Sequence, residues 1–387
     1  MLHDLPLPAE LINHIVDSFD EEDTDVLKAF SLVSRTGLSR CRQYVHETVY
    51  VRVGDESTLE RQLDRYKESP LRHLVRQLSI EANDALEGNL CDDIIILLNC
   101  FPAIRSILIG SHPDDVLESF ASPRPRLGTS LRITAINFRT DAFYQLLQSI
   151  PNLSHLELST VNWAWDDGNW HPSVEYQSCN VVPDLQILAL YSCMHQGHFL
   201  RWLCTGNNQL ALKTMSLFEG CFPPEISTAL AATKRTLTTL HLCESSFPPF
   251  ASTVDLSELT ALTLLNLVSL DVSWSINCLS SVPSFPSLTS IALNFRFISI
   301  SDFHREDWTK LDSALSASCP RLADLYVVAE PTKIITLGLG GIGSSISYLE
   351  PPVFHAVKTA LLSQLTTLQR KLTGGISVSQ YWDNDDD

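Results

Sequence analysis

The sequence predicts an α/β protein in which a short N-terminal helical module precedes an irregular solenoid of strand–turn–helix repeats, with a parallel sheet on the concave side and helices outside. Three observations predict it. One apolar spacing, L-x-x-L-x-L, recurs ten times between Val75 and Val327. Prolines stand at one fixed place ahead of half of those copies. Residues 5–50 lack the spacing and show apolar residues at helical intervals instead.

The ten copies are Val75/Leu78/Ile80, Ile104/Ile107/Ile109, Ile133/Ile136/Phe138, Leu153/Leu156/Leu158, Leu185/Leu188/Leu190, Leu212/Met215/Leu217, Leu237/Leu240/Leu242, Leu262/Leu265/Leu267, Leu288/Ile291/Leu293 and Leu322/Leu325/Val327. Their first residues advance by a mean of (322 − 75)/9, about 27 residues, within the roughly 20–29 period of repeats that carry one strand each. Pro102, Pro151, Pro183, Pro286 and Pro320 each lie two residues before a copy. Proline lacks the N–H that would continue a helix and moves its predecessor out of the α region, so it stops one segment just before the next strand. Stretches 91–99, 141–149, 198–204, 225–234 and 306–318 carry apolar residues three and four apart and read as helices. One such unit cannot bury its apolar face alone, so neighbours stack.

Ahead of the repeats, Leu11, Ile12 and Ile15 share a helical face after Pro8, and Leu27, Phe30, Leu32 and Val33 cluster likewise after an acidic stretch. A module this short buries little by itself and needs a partner. The organisation expected is a helical module over 1–50, a linker or first-repeat helix over 51–74, the repeats over 75–350, and a capping helix with an acidic tail over 351–387. Within the linker, Ser57 is a candidate N-cap for a helix over 57–68, with Glu60 at the capping-box position.

The repeats resemble the leucine-rich-repeat family, whose Asn or Cys after L-x-L is present as Asn83 and Cys193. The N-terminal module resembles an F-box: Leu7-Pro8-x-Glu10-Leu11-x-x-x-Ile15, then Leu27 leading into Ser31-Leu32-Val33-Ser34-Arg35. The whole chain is similar to fungal F-box proteins with degenerate leucine-rich repeats. That resemblance implies a substrate-recognition subunit of a Skp-adaptor, cullin and F-box ubiquitin ligase, in which other subunits supply the chemistry. It implies that Leu7, Pro8, Leu11, Ile12, Ile15, Leu27, Leu32 and Val33 face the adaptor or support that face. Gly37 stands where the family usually has an aromatic residue, and this keeps open a second reading, a repeat scaffold acting outside any ligase.

Two places are candidates for holding a target protein. Alternation along the strands turns Arg139, His155, Glu157, Tyr191, Phe218, His241, Asn266 and Asn294 to the concave face, as a recognition surface or as a plain solvated one. The connection 161–176 carries Trp163, Trp165 and Trp170, either as interface anchors or as a plug folded back between repeats.

Charge narrows the partners. Lys and Arg number 27 against 45 Asp and Glu, a net charge of −18, the wrong sign for gripping nucleic acid or an anionic membrane. Ten scattered cysteines without a C-x-x-C pair read as reduced thiols, and the start of the chain lacks a secretory pattern, so a cytoplasmic or nuclear location is expected. No stretch is apolar enough for a membrane span.

No catalytic motif, cofactor or metal is expected. Gly338-Leu-Gly-Gly-Ile-Gly343 matches G-x-G-x-x-G, but the next segment, Ser344-Ser-Ile-Ser-Tyr-Leu-Glu350, does not read as the helix that would hold a pyrophosphate. Cys193, His195 and His198 lack a fourth metal ligand nearby.

Overall fold

The computed structural model describes residues 9–17, 24–33, 35–53, 64, 66–67, 69–82, 90–110, 129–150, 152–164, 182, 184–193, 196–204, 210–218, 223–243, 255–269, 272–280, 284–297, 306–331, 335–338, 341–344 and 351–379. The chain divides into two compact units, Met1–Tyr176 and Gln177–Asp387. Of the helix expected over 57–68, the described Asp64, Tyr66 and Lys67 are helical.

The first unit opens with helices α1 (Ala9–Asp17), α2 (Thr24–Val33) and α3 (Arg35–Val45). Both α1 and α2 pack on α3. Val16, Leu27 and Cys41 form the buried centre, with Phe30, Tyr44 and Val45 around them. Strands and helices then follow as β1 (Thr48–Val53), β2 (Gln77–Ala82), α4 (Leu90–Cys100), β3 (Ser106–Gly110), β4 (Thr129–Thr134), β5 (Asn137–Arg139), α5 (Thr140–Ser149), β6 (Leu153–Ser159) and β7 (Asn162–Ala164). The main sheet runs β1-β2-β3-β4-β6, all parallel, and aligns Val51, Ile80, Ile109, Ile133 and Leu158 in one buried row. The sheet therefore starts at Thr48, ahead of the first leucine pattern.

That row corrects the third repeat. Ile133 pairs with Ile109 and Leu158, so it holds the last position of the pattern and not the first. Ile136, read as a strand residue, is instead a buried turn residue three places beyond, equivalent to Val161 and Cys193. The residue just before each of these three, Ala135, Thr160 and Ser192, has φ of 54°, 49° and 49°. A left-handed residue at one repeat position is the turn that ends the strand and lets the next residue drop into the core. With this shift Ile80, Ile109, Ile133 and Leu158 lie 29, 24 and 25 residues apart, replacing the uneven 29, 29 and 20 of the first-residue count.

The second unit contains β8 (Ile187–Tyr191), α6 (Gln196–Cys204), β9 (Thr214–Phe218), α7 (Pro223–Thr233), β10 (Thr239–Cys243), β11 (Leu264–Ser269), α8 (Val272–Ser280), β12 (Ser290–Phe297), α9 (Trp308–Ser318) and β13 (Asp324–Pro331). It closes with β14 (Ile335–Gly338), β15 (Gly341–Ser344), α10 (Pro351–Gln364), α11 (Thr366–Lys371) and β16 (Gly375–Ser379). Its main sheet runs β8-β9-β10-β11-β12-β13-β16, again parallel, with Leu190, Leu217, Leu242, Leu267, Leu293, Val327 and Val378 in one row. Truncating any fully buried leucine of such a row to alanine costs about 2–5 kcal/mol.

The core lies between this sheet and its helices. Phe295, on the buried side of β12, meets Trp308 of α9 edge to face at 5.0 Å, and Ser269 of β11 bonds Ser275 of α8 at 3.2 Å. A threonine ladder marks the register at the strand starts: Thr238 donates its hydroxyl to the carbonyl of Lys213, Thr263 to that of Thr238, and Thr289 to that of Thr263, at 3.0, 3.0 and 3.2 Å. Each unit thus satisfies backbone acceptors of the one before it. Parallel strands joined by helical connections at a step of about 25 residues make both units α/β leucine-rich-repeat-like solenoid segments.

The C-terminal segment, expected as one capping helix and a tail, holds two helices and a last strand. Asp312 of α9 caps α11 from outside its own helix, accepting from the N–H groups of Thr367 and Leu368 at 3.0 and 2.9 Å. Lys371 donates to the carbonyls of Ser316 and Cys319. Gly374 lets β16 come alongside β13, because a Cβ there would run into the Asp324 carboxylate.

Candidate recognition surfaces

Alternation gives each sheet a second face, away from the helices. In the second unit the row facing this way reads Ala189, Ser216, His241, Asn266, Ala292 and Tyr326, each beside the next on adjacent strands. One step further along the strands stand Tyr191 and Phe218, then Cys243, Val268 and Asn294. The candidates Tyr191, Phe218, His241, Asn266 and Asn294 therefore share one face of one unit.

Their contacts are specific. The rings of Tyr191 and Phe218 stack with centroids 4.8 Å apart and planes 20° from parallel. Asn266, 5% exposed, directs its amide nitrogen at Nδ1 of His241 across 3.1 Å. An amide nitrogen only donates, so Nδ1 accepts and the ring proton sits on Nε2. Burial pushes the His241 pKa below its ordinary value, which favours that neutral ring. The side-chain oxygens of Asn266 and Asn294 are buried and meet no donor.

In the first unit the same face carries charge. Arg132 and Glu157 stand directly opposite on β4 and β6, with Nη2 and Oε2 2.6 Å apart and each side chain about five-sixths covered. His155 lies 3.8 Å from the same carboxylate oxygen. Burial pushes its pKa down, Glu157 opposes that shift, and Arg132 adds to it. Arg52 and Glu81 pair likewise across β1 and β2 at 2.8 Å.

Arg139 is not part of this row. It lies on β5, which pairs only with β7 in a separate two-stranded sheet, opposite Ala164. The same register slip that displaced the third repeat put Arg139 on the face and concealed Arg132, which occupies the position between Leu131 and Ile133. Trp163 lies on β7, while Trp165 and Trp170 fall outside the described residues.

The N-terminal helices sort their apolar residues into two sets. Ile12 and Val16, one turn apart on α1, are buried, as is Leu27 on α2. Leu11 and Ile15, also one turn apart, are 49% and 37% exposed, and on α2 Val26 and Leu32 are 45% and 87% exposed. Val33 ends α2, and Leu7 and Pro8 lie outside the described residues.

Other sequence candidates resolve into structure. Ile335–Gly338 and Gly341–Ser344 form an antiparallel pair, so Gly338, Gly341 and Gly343 lie on strands and β15 stands where a phosphate-holding helix would begin. Cys193 donates its thiol toward the carbonyl of Tyr191 at 3.4 Å within its own turn; His195 lies outside the described residues. Among the described residues no group of three His, Cys, Asp or Glu is placed to hold a metal, and no helix is long and apolar enough to cross a membrane. Burial raises the thiol pKa of Cys204 to about 12, and that of Cys319 to about 12 against the opposing pull of Lys371.

No family model matches the chain, and no curated protein does. Among solved structures it is similar to a structural-genomics target protein from Bacteroides fragilis, at 12% identity and a TM-score of 0.42, covering 87% of this chain and 75% of that one. It is also similar to TLR13, solved in complex with ssRNA13, at 14% identity and a TM-score of 0.36, where the match covers 88% of this chain and 38% of that one.

Proposed function

We propose that this chain is a protein-recognition receptor of a Skp-adaptor, cullin and F-box type ubiquitin ligase. Helices α1–α3 dock on the adaptor, and the repeat sheets hold the protein to be modified. The observation that carries the reading is the surplus apolar surface of the N-terminal helices. Leu11, Ile15, Val26 and Leu32 are exposed on helices whose Val16, Leu27 and Phe30 pack into a core. Small helical modules seldom leave several large apolar side chains this exposed unless something covers them. All but Val26 belong to the F-box pattern, in which Leu11, Ile15 and Leu32 would touch the adaptor while Ile12 and Leu27 hold the helices that present them.

In this reading the chain contributes proximity, and the ligase's remaining subunits carry out transfer. A compartment shared with the adaptor, cytoplasm or nucleus, follows from the same proposal. The test is co-purification of the full chain with a Skp-type adaptor. Stable association is expected; its absence would favour the second reading, a repeat scaffold acting outside a ligase, to which Gly37 in the place of the usual aromatic points.

A further inference from the structure

The net charge of −18 is unevenly spread, and the turns that lead into β2 and β3 are basic. Residues 69–77 hold Arg72, His73 and Arg76, residues 94–110 hold Arg105, and neither stretch contains Asp or Glu. Gln77 pairs with Ser106 in register, so Arg76 and Arg105 occupy the same position ahead of adjacent strands. The backbone N–H of Arg105 donates to the carbonyl of Arg76 at 2.7 Å. Arg72, His73 and Arg105 are exposed, and Arg76 is half-buried.

Among the described residues Arg72, Arg76 and Arg105 form no ion pair. The guanidinium of Arg76 donates to the carbonyl of Ala103 at 3.1 Å, and that of Arg72 to the carbonyl of Lys67 at 3.3 Å. Of the described acidic residues around them, Asp64 lies 3.8 Å from Lys67, and Glu47 holds the equivalent position ahead of β1 without pairing with Arg76. Like charges side by side on neighbouring strands repel, yet a chain with 45 acidic residues leaves this pair uncompensated. Charges more than about 8 Å away are largely screened at physiological ionic strength, so the arginines outweigh the net charge at this edge.

We propose that this edge of the first unit binds an acidic segment of a partner protein, whose Asp or Glu carboxylates pair with Arg72, Arg76 and Arg105. The planar guanidinium offers a carboxylate two parallel N–H groups. Held on the carbonyls of two different turns, Arg72 and Arg76 suit several carboxylates spread along a chain better than one phosphoryl group. A nucleic acid would bring a longer run of charge against the acidic remainder of the chain. The inference rests on the recognition half of the proposed function, to which it adds a place outside the sheet faces, and is independent of the ligase half.

The experiment titrates the full-length protein into a dye-labelled decapeptide of alternating Glu and Ser and follows anisotropy. The same label is carried by a Gln/Ser decapeptide, a serine decapeptide with one central phosphoserine, and a ten-residue oligothymidylate. The Glu/Ser peptide is expected to bind tightest, and to weaken at least about fivefold between roughly 50 and 300 mM NaCl. Arg76→Gln/Arg105→Gln should weaken it about tenfold. Arg105→Gln alone should weaken it about threefold while its urea midpoint stays at or above that of the wild type, since one of two neighbouring like charges is gone. Lys234→Ala, in a surface ion pair with Glu258, should bind as the wild type does. Equal binding of the Gln/Ser peptide, an affinity unmoved by the double variant, or no binding of any probe would overturn the inference. Tighter binding of the phosphoserine peptide or of the oligothymidylate would overturn it too, by assigning the edge to another partner. None of these results bears on co-purification with the adaptor.

Discussion

Asn266 and His241 face each other on adjacent strands, the amide nitrogen 3.1 Å from Nδ1, so the bond exists only while that ring nitrogen is bare. Burial lowers the pKa of His241, and burial first lowers that of His155 too. Since the folded chain favours the neutral rings, the unfolded chain takes up these protons at higher pH. The stability they contribute is complete above the ordinary histidine value of about 6.5 and is lost as pH falls through the lowered folded values. Urea midpoints measured from about pH 7.5 to about pH 5 should fall on acidification, and His241→Gln should lose less over that range than the wild type.

Arg132 and Glu157 make a different kind of cross-strand pair, in register and largely covered. Removing one partner leaves the other beneath the surface with reduced hydration, so either single alanine variant should destabilise by about 1–3 kcal/mol. The double variant should cost less than the sum, with a coupling of about 1–2 kcal/mol by denaturant unfolding. Additive costs would mean that the two side chains are solvated independently.

Asp312 ties the last repeat helix to the C-terminal segment through two bonds to the start of α11. Asp312→Ala should cost about 1–2 kcal/mol, in line with loss of an N-cap. Hydrogen exchange should show the effect first at the amides of Thr367 and Leu368 and along β16. Asp312→Asn, which retains one acceptor oxygen, should recover part of the protection.

The repeat spacing was legible because each copy places three apolar residues in a nearly invariant frame, and nine of the ten registers agree with the strand pairing. The third failed for a physical reason: Ile136 is a buried turn residue whose spacing from Ile133 imitates a strand position. The end strands β1 and β16 were not visible as repeats, since Val49/Val51 and Ile376/Val378 supply only the L-x-L half of the pattern. Helix α8 was missed because Val272–Ser280 buries only Val272, Ser275, Cys278 and Leu279, a stripe half of small polar or thiol side chains. On the sheet face away from the helices, alternation was enough to select His241 and Asn266 as neighbours of the same surface. It could not show that they bond to each other, because that depends on a register 25 residues apart.

The central claim is that the exposed leucines of α1 and α2 bind a Skp-type adaptor. Its most direct measurement is the affinity of purified adaptor for the wild-type chain and for the Leu11→Asp/Leu32→Asp double variant, by calorimetry, with circular dichroism as the check on folding. Both leucines are exposed in the free chain, at 49% and 87%, so the variant should remain folded. Two charges buried without partners at the interface should nonetheless weaken binding by at least about a hundredfold. No measurable wild-type binding, or equal binding by a folded variant, would contradict the claim.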